Sequence, residues 1–430
     1  MLKIKFSIVS FVLLFILSSV IAFSQPLFEK YFENKTLRID YVHAGDKEND
    51  YYFLDELIEE PYWGGSQKHL LTPFNYGKYR IEVKDIASGE LIYSYNFSTL
   101  FSEWQTIEEA KTVARSFNES VVIPFPKNKV EVDFFTRQKD DSFLKKYSLQ
   151  IDPKNYFIKK DRRHVFPVKE ILKNGDSQNK VDIVMIPEGY TIDELEKFES
   201  DCKKFTGYLF NASPFKENES KFNVTAVMAP SKESGTDIPG KSVYKETILD
   251  SKFYTFDVER YLMVSDYKKV RDVAANASYD HIYVIVNSPK YGGGAIFNHY
   301  AVCVNTNQHE EYVFVHEFGH SFASLADEYY ESETAYQDFY PQDREPIDPN
   351  LTSLKDFGSK WKHLVDESTP IPTPNESEYH GKVGAFEGGG YVAKGIYRPQ
   401  HDCTMKSISV DNFCIVCKNA IQSMIDFYAE

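Results

Sequence analysis

The stretch YVFVHEFGHSFASLADEYY, Tyr312 to Tyr330, decides how the rest of the chain is read, because it sets two histidines and a glutamate on an apolar segment and then breaks into an acidic, tyrosine-rich cluster. In HEFGH, the spacing of His316 and His320 on a helix leaves them about 40° apart around the axis and about 6 Å along it, close enough for both imidazoles to hold one zinc ion. Glu317 falls beside them, where a carboxylate accepts a proton from metal-activated water. Val315, Phe322 and Leu325 recur at helical intervals, so the segment is an amphipathic helix with one buried face. The rival reading is a packed helix that happens to carry histidines.

A catalytic zinc needs a third protein ligand and one open position. Asp327 is the nearest candidate, but on a continued helix it would lie about 16 Å along the axis from His316. The helix is therefore expected to end near Ala323 or Ser324, with the chain turning back. Glu328, Glu331 and Glu333 are the rival ligands.

Around this segment the chain has 430 residues, 42% of them hydrophobic, enough for two domains with cores of their own. A net charge of -15 excludes a nucleic-acid backbone or an anionic membrane surface as the principal partner. Lys3 and Lys5 precede an apolar run from Phe6 to Phe23, and Ala22, Ser24 and Gln25 follow in the manner of a cleavage site. Residues 1–24 read as a secretory signal peptide, with an uncleaved anchor as the rival, so a secreted, periplasmic or cell-surface protein without stable membrane insertion is expected.

From residue 25 to 150, runs such as LRIDYVH, YRIEVKD, LIYSYNFSTL and VEVDFFTRQ alternate apolar and polar residues between turn formers, the pattern of an antiparallel β-sandwich. Residues 151–180 are polar and basic without a period and read as a connector. From 181 to 430, strands alternate with helices: KVDIVMIPEGY, a helix with a capping box at Thr191 and Glu194, KFNVTAVMAP, DHIYVIVNS, a YGGG loop at Tyr291–Gly294, and FNHYAVCVN. That order predicts a mostly parallel sheet covered by helices. The YGGG loop either lets an extended substrate pair with a strand edge or is a plain turn.

Of the five cysteines, Cys202 lies in an apolar helical stripe. Cys403, Cys414 and Cys417 cluster near the end of the chain, and the expectation is a disulfide from Cys403 to Cys414 or Cys417. A structural zinc site there would need a fourth ligand, for which only His401 lies near in sequence.

The chain resembles the IgA-peptidase family of zinc metallopeptidases, family sixty-four of the peptidase classification, on the metzincin side of the zincins. HEFGHSFASLADEYY looks like that family's zinc segment, and YFENKTLRIDYVHAG, VDIVMIPEGYT, SKESGTDIP, FYTFDVERYL and GAFEGGGYVAKGIYRPQHDCTM look like its other signature stretches, N-terminal sandwich included. The resemblance implies zinc on His316, His320 and Asp327 with Glu317 as base. The aspartate comes one residue later than the usual metzincin third ligand, and Ser324 stands where relatives often have the turn glycine. In HDCTM, Met405 resembles the methionine of the metzincin Met-turn. Tyr397 and Arg398, in GIYRP, are candidates to stabilise the oxyanion or, alternatively, braces for the loop.

The expected protein is a β-sandwich followed by an α/β metzincin-like domain, a zinc endopeptidase acting on extracellular protein or peptide substrates. The alternative from another class is a non-catalytic extracellular protein- or glycan-binding protein that keeps the zinc fold. A cell-wall amidase is a third.

Overall fold

The computed structural model describes residues 26–161, 164–330, 340–409 and 412–429. The stretch at 1–24 expected to be a signal peptide and the rival ligands Glu331 and Glu333 lie outside the described residues. No helix among those described is long and apolar enough to cross a membrane.

The N-terminal region opens with a helical turn, α1 (Phe28–Tyr31), and builds two antiparallel sheets. Its elements are β1 (Phe32–Gly45), β2 (Asp50–Glu60), β3 (Tyr79–Asp85), β4 (Leu91–Phe97), the short α2 (Leu100–Trp104), β5 (Arg115–Pro126), β6 (Val130–Arg137) and β7 (Phe143–Ile151). One sheet runs β2-β1-β5 and the other β4-β3-β6-β7. The alternation that predicts these strands is seen plainly in β3, where Tyr79, Ile81 and Val83 are buried and Arg80, Glu82 and Lys84 are half-buried. The inner faces meet through aromatic pairs such as Tyr41 with Phe134, ring centroids 5.3 Å apart.

The mixed region begins inside the stretch read as a connector. There β8 (Val168–Leu172) pairs antiparallel with β10 (Phe222–Val227) at the edge of a six-stranded sheet. As an edge strand it exposes Val168, Lys169 and Glu170, so it has no apolar alternation to betray it. Next come β9 (Val181–Glu188), α3 (Leu195–Asn211), a small hairpin of β11 (Ser251–Lys252) and β12 (Met263–Val264), and α4 (Tyr267–Ala274). The sheet is completed by β13 (His281–Val286), β14 (Gly293–Ile296) and β15 (Tyr300–Val304), followed by α5 (Glu310–Ala323), the hairpin β16 (Phe386–Gly389) and β17 (Val392–Arg398), and α6 (Ile415–Ala429).

The strand order is β14-β15-β13-β9-β10-β8, with the four central strands parallel and the two edges antiparallel. Every residue of β9 and β13 is buried, as befits strands covered on both faces. Ile183, Met185, Tyr283 and Ile285 face the cluster that contains α3, α5 and α6. Val184, Ile186, Ile282 and Val284 on the other face join a single apolar cluster with the N-terminal sheets. Arg38 on β1 reinforces that junction, its Nη1 lying 2.8 Å from Asp272 Oδ1 on α4.

The capping box forms as expected: Thr191 N–H donates to Glu194 Oε2 at 2.9 Å, at the turn that leads into α3. Just before it, Gly189 ends β9 at φ +69°, and a Cβ there would stand 1.8 Å from the carbonyl oxygen of Gly235. Gly189→Ala is expected to destabilise the protein by about 2–4 kcal/mol, measured as a lowered denaturant midpoint, because left-handed backbone and a backbone clash add.

Candidate metal centre

Helix α5 is built to stop where the site needs it to. Glu310 and Glu311 in the first turn favour the positive helix end, and Ser324 breaks the helix in left-handed conformation at φ 52°, ψ 34°. The N–H groups of Ser324 and Leu325 return to the carbonyls of His320 and Gly319 at 3.1 and 3.3 Å. The chain then doubles back, and Asn350, fully buried, holds it by donating Nδ2–H to the Ala326 carbonyl and accepting the Ala326 N–H, both at 2.8 Å. Asp327 is thereby returned to the histidines.

The three ligand atoms close on one point. His316 Nε2 lies 3.1 Å from His320 Nε2, and Asp327 Oδ1 lies 3.0 Å from the first and 3.3 Å from the second. Tetrahedral zinc with bonds of roughly 2.0–2.1 Å has edges of about 3.3 Å, so the triangle has the size of one face of that tetrahedron. The outer nitrogens are already engaged: His316 Nδ1 is 3.0 Å from the Thr404 carbonyl oxygen, and His320 Nδ1 bonds the Leu325 carbonyl. With both Nδ1–H groups donating to carbonyls, two Nε2 lone pairs face each other and the buried Asp327 Oδ1, an arrangement that requires a cation or a proton between them. Tyr391 Oη donates to the other oxygen, Asp327 Oδ2, and fixes the carboxylate.

Electrostatics agree. Burial works against both charged groups, yet Asp327 pushes the His320 imidazole up to about 9. In turn the two histidines hold the Asp327 carboxyl well below the usual range against that burial. Glu317 is set differently: burial raises its carboxyl above the ordinary value, opposed by His316 and His320. That is the direction a general base working near neutrality needs.

Glu317 and the three ligand residues line a cavity of about 1230 Å³, with Arg260, Tyr291 and Tyr329 nearby and Lys47, Ser98 and Arg137 of the N-terminal region on its walls. Met405 is fully buried beneath α5, its Sδ 3.1 Å from where a Cβ on Gly319 would stand. Its carbonyl accepts the Glu328 N–H at 2.7 Å.

Other candidates sit elsewhere. Neither Tyr397 nor Arg398 lines the cavity. Arg398 is buried and donates Nη1–H to the carbonyls of Glu387 and Gly388 at 2.8 and 2.7 Å, while the Tyr397 backbone pairs with Thr352. Glu328 points away from the histidines, with Oε1 3.3 Å from Cys417 Sγ.

The expected disulfide is not formed. All five cysteines are free thiols, and Cys403 Sγ and Cys417 Sγ are 3.9 Å apart, where a bond needs about 2.05 Å. At Gly293 of the YGGG loop the strand edge is already taken within the chain, since its N–H donates to Arg260 O and its carbonyl accepts from Leu262, both at 3.3 Å. The glycines serve close packing instead: a Cβ at Gly292 would lie 2.6 Å from Arg260 O, and one at Gly294 2.5 Å from the Tyr261 ring.

Asn350 and Tyr391 were invisible in sequence because an isolated Asn or Tyr carries no spacing signal. Asn350→Ala leaves two buried backbone groups of Ala326 without partners and is expected to cost about 2–4 kcal/mol and to loosen metal retention, read by thermal melting and by dialysis against a weak chelator.

Two family models match the chain. The family model described as IgA Peptidase M64 matches residues 169–381 and 375–425, and the one described as Peptidase M64 N-terminus matches residues 27–148. No curated protein matches the chain. Since these matches run through both regions and take in the helix, the returning chain and the loop beneath them, the chain belongs to the IgA peptidase M64 family and is a metallopeptidase, a hydrolase acting on protein or peptide substrates.

Proposed function

We propose that the chain is a secreted zinc endopeptidase of metzincin-like build, with residues 1–24 as its signal peptide, a sandwich domain over 25–150 and a catalytic domain over 181–430 to which β8, within the 151–180 connector, adds an edge strand. The observation that carries the metal assignment is the convergence of His316 Nε2, His320 Nε2 and Asp327 Oδ1 at 3.0–3.3 Å with both Nδ1 atoms already engaged. These residues would hold zinc, whose Lewis acidity polarises a peptide carbonyl and makes water nucleophilic near neutral pH.

Glu317, beside the ligands and above its ordinary pKa, takes the proton of the attacking water and returns it to the leaving amine nitrogen. Met405 supports the ligand turn of α5 from below, in the position of a Met-turn. Tyr397 and Arg398 enter as braces of the loop that carries Met405. Tyr391 and Asn350 orient Asp327, the first through its carboxylate and the second through the backbone beside it. The cleft, walled on one side by the N-terminal region, suits a protein segment better than a small molecule.

Elemental mass spectrometry of the purified protein tests the assignment. Asp327→Ala is expected to lose one equivalent of zinc relative to wild type. Equal zinc in both would move the third ligand elsewhere, and a wild type that binds none after reconstitution would end the zinc reading.

A further inference from the structure

We infer that Glu328, Cys403, Cys414 and Cys417 form a second zinc site, closed by four protein ligands and structural in role. The inference stands on its own geometry, independent of the catalytic reading. All four residues are at most 3% exposed, and their ligand atoms lie within 4.8 Å of one another. Cys403 Sγ is 3.9 Å from Cys417 Sγ, and Glu328 Oε1 is 3.9 Å from Cys414 Sγ and 3.3 Å from Cys417 Sγ. A tetrahedron with zinc–sulfur bonds of about 2.3 Å and a zinc–oxygen bond of about 2.0 Å has S···S edges of about 3.8 Å and S···O edges of about 3.5 Å. Those three edges are of that size, and the Cys403–Cys417 edge is too wide for a disulfide.

The second observation is Glu328 Oε2, which is fully buried and has no hydrogen-bond partner. A carboxylate shut among three thiols is costly unless a cation is close. Arg398 attracts this carboxylate only through space, without an ion-pair contact, because its guanidinium donates to the carbonyls of Glu387, Gly388 and His401.

Backbone donors also point at the sulfurs. Backbone N–H groups of Cys414 and Met405 donate to Cys403 Sγ at 3.2 and 3.5 Å, and that of Cys417 donates to Cys414 Sγ at 3.4 Å. Cys414 precedes α6 and Cys417 is its third residue, where the helix end favours negative sulfur. Asn350 Nδ2–H donates to Glu328 Oε1 at 3.0 Å. Three thiolates and one oxygen select zinc over calcium or magnesium, and four protein ligands leave no open position for chemistry. Uptake displaces the thiol protons.

Such an ion would pin together the start of α6, the loop at 403–405 and the residue that follows Asp327. That loop already takes the His316 Nδ1–H on the Thr404 carbonyl and the Glu328 N–H on the Met405 carbonyl. The second site therefore fixes the ground on which the first is set.

The test is metal content, together with the absorption spectrum of cobalt-substituted protein. His316, His320 and Asp327 offer no sulfur, so a near-ultraviolet thiolate-to-cobalt band reports the second site alone. Wild type is expected to hold two equivalents of zinc and His320→Ala one, with the cobalt band present in both; Cys417→Ser loses one equivalent and the band. Should Cys417→Ser fail to fold, the wild type and His320→Ala decide the matter between them. One equivalent in wild type with none in His320→Ala would overturn the second site and leave the first intact. A cobalt-loaded wild type without the band, or a disulfide among the three cysteines found by peptide mapping, would also overturn it. A wild type with one equivalent that persists in His320→Ala and carries the band would support the second site and count against the catalytic one.

Discussion

Glu317→Gln is expected to bind metal as wild type does and to cleave a reporter peptide with kcat/KM about a thousandfold lower, equivalent to about 4 kcal/mol of transition-state stabilisation. Glutamine keeps the size and leaves the His316, His320 and Asp327 triangle untouched, but it cannot take a proton at the place where burial has raised the glutamate. The loss should fall on kcat, with KM nearly unchanged, because Glu317 is assigned to proton transfer and not to holding the substrate. Cleavage within tenfold of wild type would refute its role as base. A variant that lost its metal would make Glu317 a structural residue instead.

The second large effect is loss of a ligand. His320→Ala should abolish activity, by at least about 10⁴-fold, and unlike Glu317→Gln it should do so by losing the ion. The same histidine gives the metal its pH dependence. In the metal-free protein Asp327, working against burial, holds His320 protonated up to about pH 9, so a proton competes with the ion and apparent affinity falls about tenfold for each pH unit below that value. The protonated pair acts on stability in the opposite direction. Because the folded pKa is raised above the ordinary 6.5, its contribution to the metal-free protein is complete below that value and fades as pH rises through 9. Zinc titrations against a competing chelator at about pH 6 and pH 8 should therefore differ by roughly two decades, tighter at the higher pH. An affinity independent of pH would mean that His320 does not take part.

The parts of the fold and site that sequence reveals are those governed by short-range rules. The end of α5 at Ala323 follows from the need to bring Asp327 back to His316, and the capping box at Thr191 and Glu194 follows from side-chain reach. The alternation of β3 and the unbroken apolar runs of β9 and β13 announce their burial directly. What escapes is settled by contacts distant along the chain. Cys403, Cys414 and Cys417 look like a disulfide in search of a partner because the residue that completes their cluster, Glu328, precedes Cys403 by 75 positions. Gly293 looks like a substrate edge until Arg260 and Leu262 are seen to occupy it. Strand β8 has too little buried surface to leave a pattern, and Arg398 reads as chemistry although its guanidinium faces backbone carbonyls.

The apolar cluster that unites the N-terminal sheets with the back of the six-stranded sheet limits how this protein can be cut or recombined. Removing the sheets that end at Ile151 would strip that cluster of its N-terminal half and uncover the face of α4 that packs on β5, and the cleft would lose Lys47, Ser98 and Arg137 in the same stroke. The N-terminal sheets are thus part of a core shared with the mixed region and not an accessory laid on it. A form of the chain without them would need polar side chains where this cluster is now covered, and another surface to close its cleft.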